Sequence, residues 1–189
     1  EEGESISPLQ ARFKFNNIDR SYLVEQWSKN YQSKDSKMKG FVASINLFRG
    51  SNDIPQEAAD QINQVANAFD GDGGFNKDQI AEILSAIGVI ESKYETKVQR
   101  DDGPARSYWQ VEPKTAADML KQNLNAMKTG RSQLMGQNFE NLFKSKYSDV
   151  IGNRTALEYF ASLNEKQLQQ LLLEDGLFAA AMAAHKVVS

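Results

Sequence analysis

The residue best suited by type and spacing to do chemistry is Glu91. It falls near the end of residues 77–94, a stretch whose apolar side chains recur at helical intervals. At about 100° per residue, Ile80, Ile83, Leu84, Ile87 and Tyr94 share a stripe roughly 100° wide. Asp78, Glu82, Ser85, Ser92 and Lys93 point elsewhere. Glu91 breaks this division, because it follows Ile83 by eight residues and Ile87 by four and so lies near the middle of the stripe. An ionised carboxylate there loses hydration, so it must find partners or hold a proton more readily. One expectation is a structural salt bridge. The other is a general acid working near neutral pH.

Other candidates for chemistry are few. The chain has no Cys and one His, His185, which argues against thiolate metal sites, disulfides, a His-based zinc site and a Ser-His triad. His185 falls on an Ala-rich stretch, where packing or a surface position is expected. Asp70-Gly-Asp-Gly-Gly-Phe-Asn has the alternation of a calcium loop, with Asp70, Asp72 and Asn76 as ligand candidates. Its spacing does not supply the bidentate terminal carboxylate that such loops need. The competing expectation is a Gly-rich turn with Asn76 as helix N-cap and Gln79 completing a capping box. No metal and no cofactor are expected.

The stretch after Glu91 carries a longer pattern. Glu91-Ser92 is followed by Gly103-Pro-Ala-Arg-Ser-Tyr-Trp-Gln-Val-Glu-Pro-Lys-Thr-Ala116. This resembles the active-site region of lytic transglycosylases of the lysozyme-like superfamily, above all the phage-encoded branch. In that family Glu-Ser closes a helix, and a loop with Gly-Ala-Arg-Gly-Leu-x-Gln leads to an apolar residue and x-Pro-x-Thr-Ala. Ala105-Arg106, Gln110-Val111, Pro113 and Thr115-Ala116 match in register. Ser107 stands where the family has Gly. The family's Ala-Tyr-Asn is lacking, its nearest counterpart being Phe178-Ala-Ala-Ala-Met182.

The resemblance implies that Glu91 is the acid/base cleaving the bond between N-acetylmuramic acid and N-acetylglucosamine, giving a 1,6-anhydro product. It implies saccharide contacts from Ser92, Ser107, Tyr108, Trp109 and Gln110. If 107–110 is extended, Tyr108 and Trp109 point in opposite directions, one to sugar and one to the core, with Tyr108 expected toward the groove. Asp101, Asp102 and Glu112 are possible second carboxylates, and one facing Glu91 would favour a hydrolytic muramidase. The departures at Ser107 and Ala-Tyr-Asn leave room for a non-catalytic virion or ejection protein with the same fold. A calcium-responsive binding module around Asp70 and Asp72 is a third expectation. The implied partner is a peptidoglycan strand, met from a phage virion or in the host periplasm and cell wall.

These residues need helices to hold them. The spacing predicts helices over 19–32 and 38–49, from Pro55 to about Phe69, over 77–94, from Pro113 to about Met127, from Ser132 or Gln133 to Lys146, over 156–163, from Asn164 onward, and over 177–188. Ala59, Ile62, Val65, Ala66 and Phe69 are expected inside the third of these units, and Leu134, Phe139, Leu142 and Phe143 inside a later one. Residues 95–112 lose the period, which suggests a short extended piece or a tiny hairpin. The fold class is therefore mostly α with a small extended or β element beside the key helix, and the resemblance implies a lysozyme-like multi-helix domain over 55–189. Residues 1–54 would form an N-terminal helical extension, suited to docking other virion proteins.

Composition sets outer bounds. Hydrophobic residues make up 40% of the 189, enough for a core. A net charge of −3 gives no electrostatic reason to expect nucleic acid as partner. The most apolar run, Leu177 to Ala184, is too short to span a bilayer. The chain opens on Glu1 rather than Met, as a processed chain or part of a longer one would, and shows no signal peptide.

Overall fold

The Ala-rich segment Gly176–Val188 becomes the middle of the fold. Eleven of its residues, from Leu177 through His185 together with Val187 and Val188, are buried. Alanine carries little bulk, so neighbouring helices approach this one closely on every side. The computed structural model describes residues 54–189. The helices expected over 19–32 and 38–49 lie outside the described residues, as does all but Ile54 of the expected extension.

The described residues form a mostly α-helical, multi-helix fold. Its helices are α1 (Gln56–Ala68), α2 (Lys77–Ser92), α3 (Pro113–Lys128), α4 (Leu134–Phe143), α5 (Ser148–Ile151), α6 (Ala156–Ala161), α7 (Glu165–Glu174) and α8 (Gly176–Val188). Helix α8 packs on α1, α2 and α7, while α3 lies across α4, α6 and α7. Phe139 and Phe143 of α4, Phe160 of α6 and Phe178 of α8 meet in one fully buried cluster, with ring centroids 4.9–6.1 Å apart. Edge-to-face pairs of this kind add about 0.5–1.5 kcal/mol each beyond area burial.

Local sequence explains where the helices begin. Asn76, Thr155 and Asn164 each accept the backbone N–H three residues on, and Gln79, Glu158 and Gln167 reach back to complete capping boxes. Asp175 caps α8 through the Phe178 N–H at 3.1 Å. The carboxylate of Asp175 is buried and also receives Lys146 Nζ at 2.8 Å and the Tyr147 hydroxyl.

Several boundaries differ from expectation. Helix α4 stops at Phe143 instead of Lys146, and a separate turn, α5, follows before Gly152. Ala58 is buried in α1 where Ala59 is only half-buried. Met135 is buried where Leu134 and Leu142 are half-buried. Helix α2 ends at Ser92, two residues early, because Lys93 and Tyr94 both adopt left-handed backbone, φ 54° and 57°. Among the described residues, no helix is long and apolar enough to cross a membrane.

Candidate active site

The C-terminal half of α2 is buried on all sides except near Glu91. Ala86 to Ile90 and Ser92 are buried, and Glu91 is half-buried among them. The chain then reverses through Lys93 and Tyr94. Tyr94 folds back along its own helix and its hydroxyl donates to the Ser85 carbonyl at 3.0 Å. Gly88 makes that possible, since a Cβ there would lie 2.1 Å from Tyr94 Cζ. Glycine in a helix interior lowers stability by about 1 kcal/mol relative to alanine, so its presence here has a packing reason. Ser92 locks the same reversal: its hydroxyl donates to the Gly88 carbonyl at 3.2 Å and accepts the Tyr94 N–H at 3.1 Å.

The aperiodic stretch becomes a miniature antiparallel patch. Val98 pairs with Arg106, and Arg106 pairs with Val111. Between the last two, residues 107–110 form a tight turn, so this is the tiny hairpin and not the short extended piece. The Arg106 guanidinium donates to the Ala105 carbonyl at 2.9 Å and stands 3.8 Å from Asp102, which staples the 100–106 loop. Ser107 has φ 72°, a conformation that glycine adopts without strain. Ser107 is 2% exposed, and its hydroxyl accepts the Trp109 N–H at 3.2 Å.

Trp109 anchors the turn to α2. Its indole N–H donates to the Leu84 carbonyl at 3.0 Å, and the ring meets Tyr94 edge-on. Tyr108 is half-buried, with its ring centroid 5.4 Å from that of Tyr94 and Lys97 Nζ 5.0 Å above it. Both rings occupy a turn, so strand alternation does not set their directions.

Two cavities meet at Glu91. The smaller, about 230 Å³, has an apolar floor of Ile87, Trp109, Val111, Met119, Met182 and Val187. Its polar lining comes from Glu91, Gln110, Glu112, Thr115 and Lys186. The larger, about 700 Å³, is mostly polar, with Ser92, Glu95, Thr96, Gln99, Arg100 and Asp101 on its walls. Glu91 and Gln110 line both. Gln110 is fixed by its own Nε2, which donates to the Ser107 carbonyl at 2.7 Å, so its other amide atom is turned away from that bond. Ser107 and Tyr108 line neither cavity.

No protein-family model, curated protein or solved structure matches the chain significantly.

Of the residues expected at a site, Glu91, Ser92, Trp109 and Gln110 therefore come together around cavities, and Ser107 supports them from beneath. Asp101 and Glu112 also face cavities shared with Glu91, one on each side. Asp102 instead faces Arg106. The calcium-loop candidates are occupied separately. Asp70 accepts the Lys77 N–H at 2.8 Å, Asp72 accepts Asn138 Nδ2 at 2.7 Å, and Asn76 caps α2. Among the described residues, no three His, Cys, Asp or Glu side chains gather as a metal site would require. Sequence reading missed the contribution of α8. Met182 and Lys186, four residues apart, present one face of that helix to the smaller cavity. That spacing was visible, but nothing in it pointed toward Glu91.

Proposed function

We propose that this chain is a peptidoglycan lytic transglycosylase, phage-encoded and virion-associated, that opens the cell wall with Glu91 as its acid/base. The observation that carries the reading is the position of Glu91 and Gln110 at the junction of two cavities. A glycan strand laid through both would present one glycosidic bond to one carboxyl group. Glu91 would protonate the bridging oxygen as its bond to C1 breaks. The carboxylate would then take the proton of the 6-hydroxyl as that oxygen closes on C1, so no water is consumed. The substrate's N-acetyl oxygen would stabilise C1 in between, which is why a single carboxyl suffices.

The supporting roles follow from the contacts. Gln110 would hydrogen-bond sugar at the junction. Trp109 would offer apolar surface beside the scissile bond. Ser92, with its hydroxyl engaged by Gly88 and Tyr94, would position Glu91 by fixing the helix end. The hydrolytic alternative is favoured by Glu112, whose side chain shares the smaller cavity with Glu91. A carboxylate there would activate water in place of the 6-hydroxyl.

The test is digestion of purified peptidoglycan followed by mass spectrometry of the muropeptides. Anhydro ends that disappear in Glu91→Gln are expected. Reducing ends dependent on both Glu91 and Glu112 would replace the transglycosylase with a muramidase. Intact peptidoglycan would leave a non-catalytic virion protein.

A further inference from the structure

Lys186 is the one cationic side chain on the smaller cavity, across which stand Glu91 and Glu112. It is exposed, and among the described residues its ammonium makes no ion pair and no hydrogen bond. Several cations among the described residues are already engaged. Lys146 pairs with Asp175, Lys114 with Asp118, Arg106 with Asp102, and Lys97 with Glu57. Lys144 is held by the Gly152 and Arg154 carbonyls. Lys186 thus stands at the rim of an apolar-floored cavity, its charge unpaired among the described residues. The low-dielectric floor of Met119, Met182 and Val187 strengthens any charge pair formed over it. A ligand anion entering this cavity meets two carboxylates, and without Lys186 it would meet nothing favourable to its charge.

We propose that Lys186 is a specificity-determining residue that pairs with a carboxylate borne by the sugar in the smaller cavity. The inference rests on the reading of the ligand as a peptidoglycan strand, and deepens it. Such strands alternate a neutral N-acetylhexosamine with muramic acid, whose 3-O-lactyl group ends in a carboxylate when no peptide is attached. The larger cavity holds cations too, Lys93 and Arg100, so it is the apolar floor strengthening a pair with Lys186 that assigns the muramic acid side of the cleaved bond to the smaller cavity. The mostly polar larger cavity takes the sugar on the other side. No covalent step is assigned to Lys186.

The test uses the full chain and two forms of glycan strand. One is stripped of peptides by an amidase, so every lactyl carboxylate is free. The other is the same material with those carboxylates converted to methylamides. Calorimetric Kd is measured in the Glu91→Gln background to prevent turnover, and KM and kcat are measured with Glu91 intact. Lys186→Gln is expected to weaken binding of the free-carboxylate strands about fivefold, the size of a partly exposed charge pair. Lys186→Arg should recover most of that loss. The methylamide strands should bind all three forms alike, and 0.5 M salt should erase the difference. Equal loss on both strands, or no loss on either, overturns the proposal. So does a change in kcat and its pH profile with Kd unmoved, which would mean that Lys186 acts on Glu91. If no variant cleaves either strand but the Lys186-dependent binding persists, the reaction falls and the carboxylate subsite stands.

Discussion

Tyr94 lies across the Cα of Gly88, near enough that a methyl group at position 88 would sit 2.1 Å from Tyr94 Cζ and 2.3 Å from its hydroxyl. The pair sets the end of the helix that carries Glu91. In an exposed helix Gly→Ala stabilises by about 1 kcal/mol. Here the new methyl meets a buried ring hydrogen-bonded to Ser85, so it forces the reversal at residues 93–94 to open. Gly88→Ala should destabilise by about 1–3 kcal/mol, as overpacking does. Chemical denaturation measures this. Combining it with Tyr94→Ala should give less than the sum of the single effects, because the clash disappears with the ring.

Position 107 allows a sharper comparison. Ser107 combines a left-handed backbone, φ 72°, with a hydroxyl that accepts the Trp109 N–H. Ser107→Ala keeps the strain and loses the bond, so it should lower stability by about 1 kcal/mol. Ser107→Gly loses the same bond but relieves backbone strain worth about 1 kcal/mol, and should be close to neutral. Urea midpoints of the two variants decide the order. A Gly variant less stable than the Ala variant would contradict this account.

Asp175 is a buried carboxylate that caps α8 and receives both Lys146 and Tyr147. Burial above all, then the hydrogen bond and negative charge of Asp175, pushes the Tyr147 phenol well above its ordinary range. Asp175→Ala removes the acceptor of all three hydrogen bonds at once, the helix cap among them, leaving donors unmatched in the interior. The expected loss is about 2–4 kcal/mol by denaturant unfolding. Lys146→Ala, at a half-exposed partner, should have a much smaller effect.

His185 gives the fold an acid sensitivity. It is 5% exposed, with Asn123 Nδ2 3.1 Å from its Nε2, and its Nδ1 has no hydrogen-bond partner among the described residues. Burial lowers its pKa below the ordinary 6.5. The unfolded chain therefore takes up a proton at higher pH than the folded one does. The stability that His185 contributes is whole above pH 6.5 and is lost as pH falls from there through the lowered folded value. Urea midpoints measured from pH 7.5 down to pH 5 should fall, and the fall should be shallower in His185→Gln.

Much of this architecture was legible along the chain because its signals are local. Asn76 with Gln79 and Asn164 with Gln167 are capping boxes within four residues, and both helices start where those pairs lie. The apolar period of Ile80, Ile83, Leu84 and Ile87 marked a buried face correctly. The early stop at Ser92 was not legible, since Lys93 and Tyr94 carry no turn signature of their own. They turn left-handed because Tyr94 finds a slot over Gly88, a contact that helical periodicity cannot register. For the same reason Tyr94 is buried by doubling back and not by continuing the stripe. Glu91 and Gln110 could be named from the motif that carries them. Lys186 lies far along the chain from both, and only tertiary packing brings α8 to the same cavity.

The centrality of Gly176–Val188 has a consequence for how the protein is made. The rod around which the described residues pack is synthesised after all of them. Until Val188 has cleared the ribosome, α1, α2 and α7 lack their common partner, and their inner faces stay open to solvent. Nascent chains stalled before Gly176 should be cut rapidly by protease, whereas those extended far enough to release Val188 should resist it. The wall of the smaller cavity arrives with the same segment, so an incomplete chain also lacks a finished site. The smaller cavity would then take shape only after α8 drops into its slot.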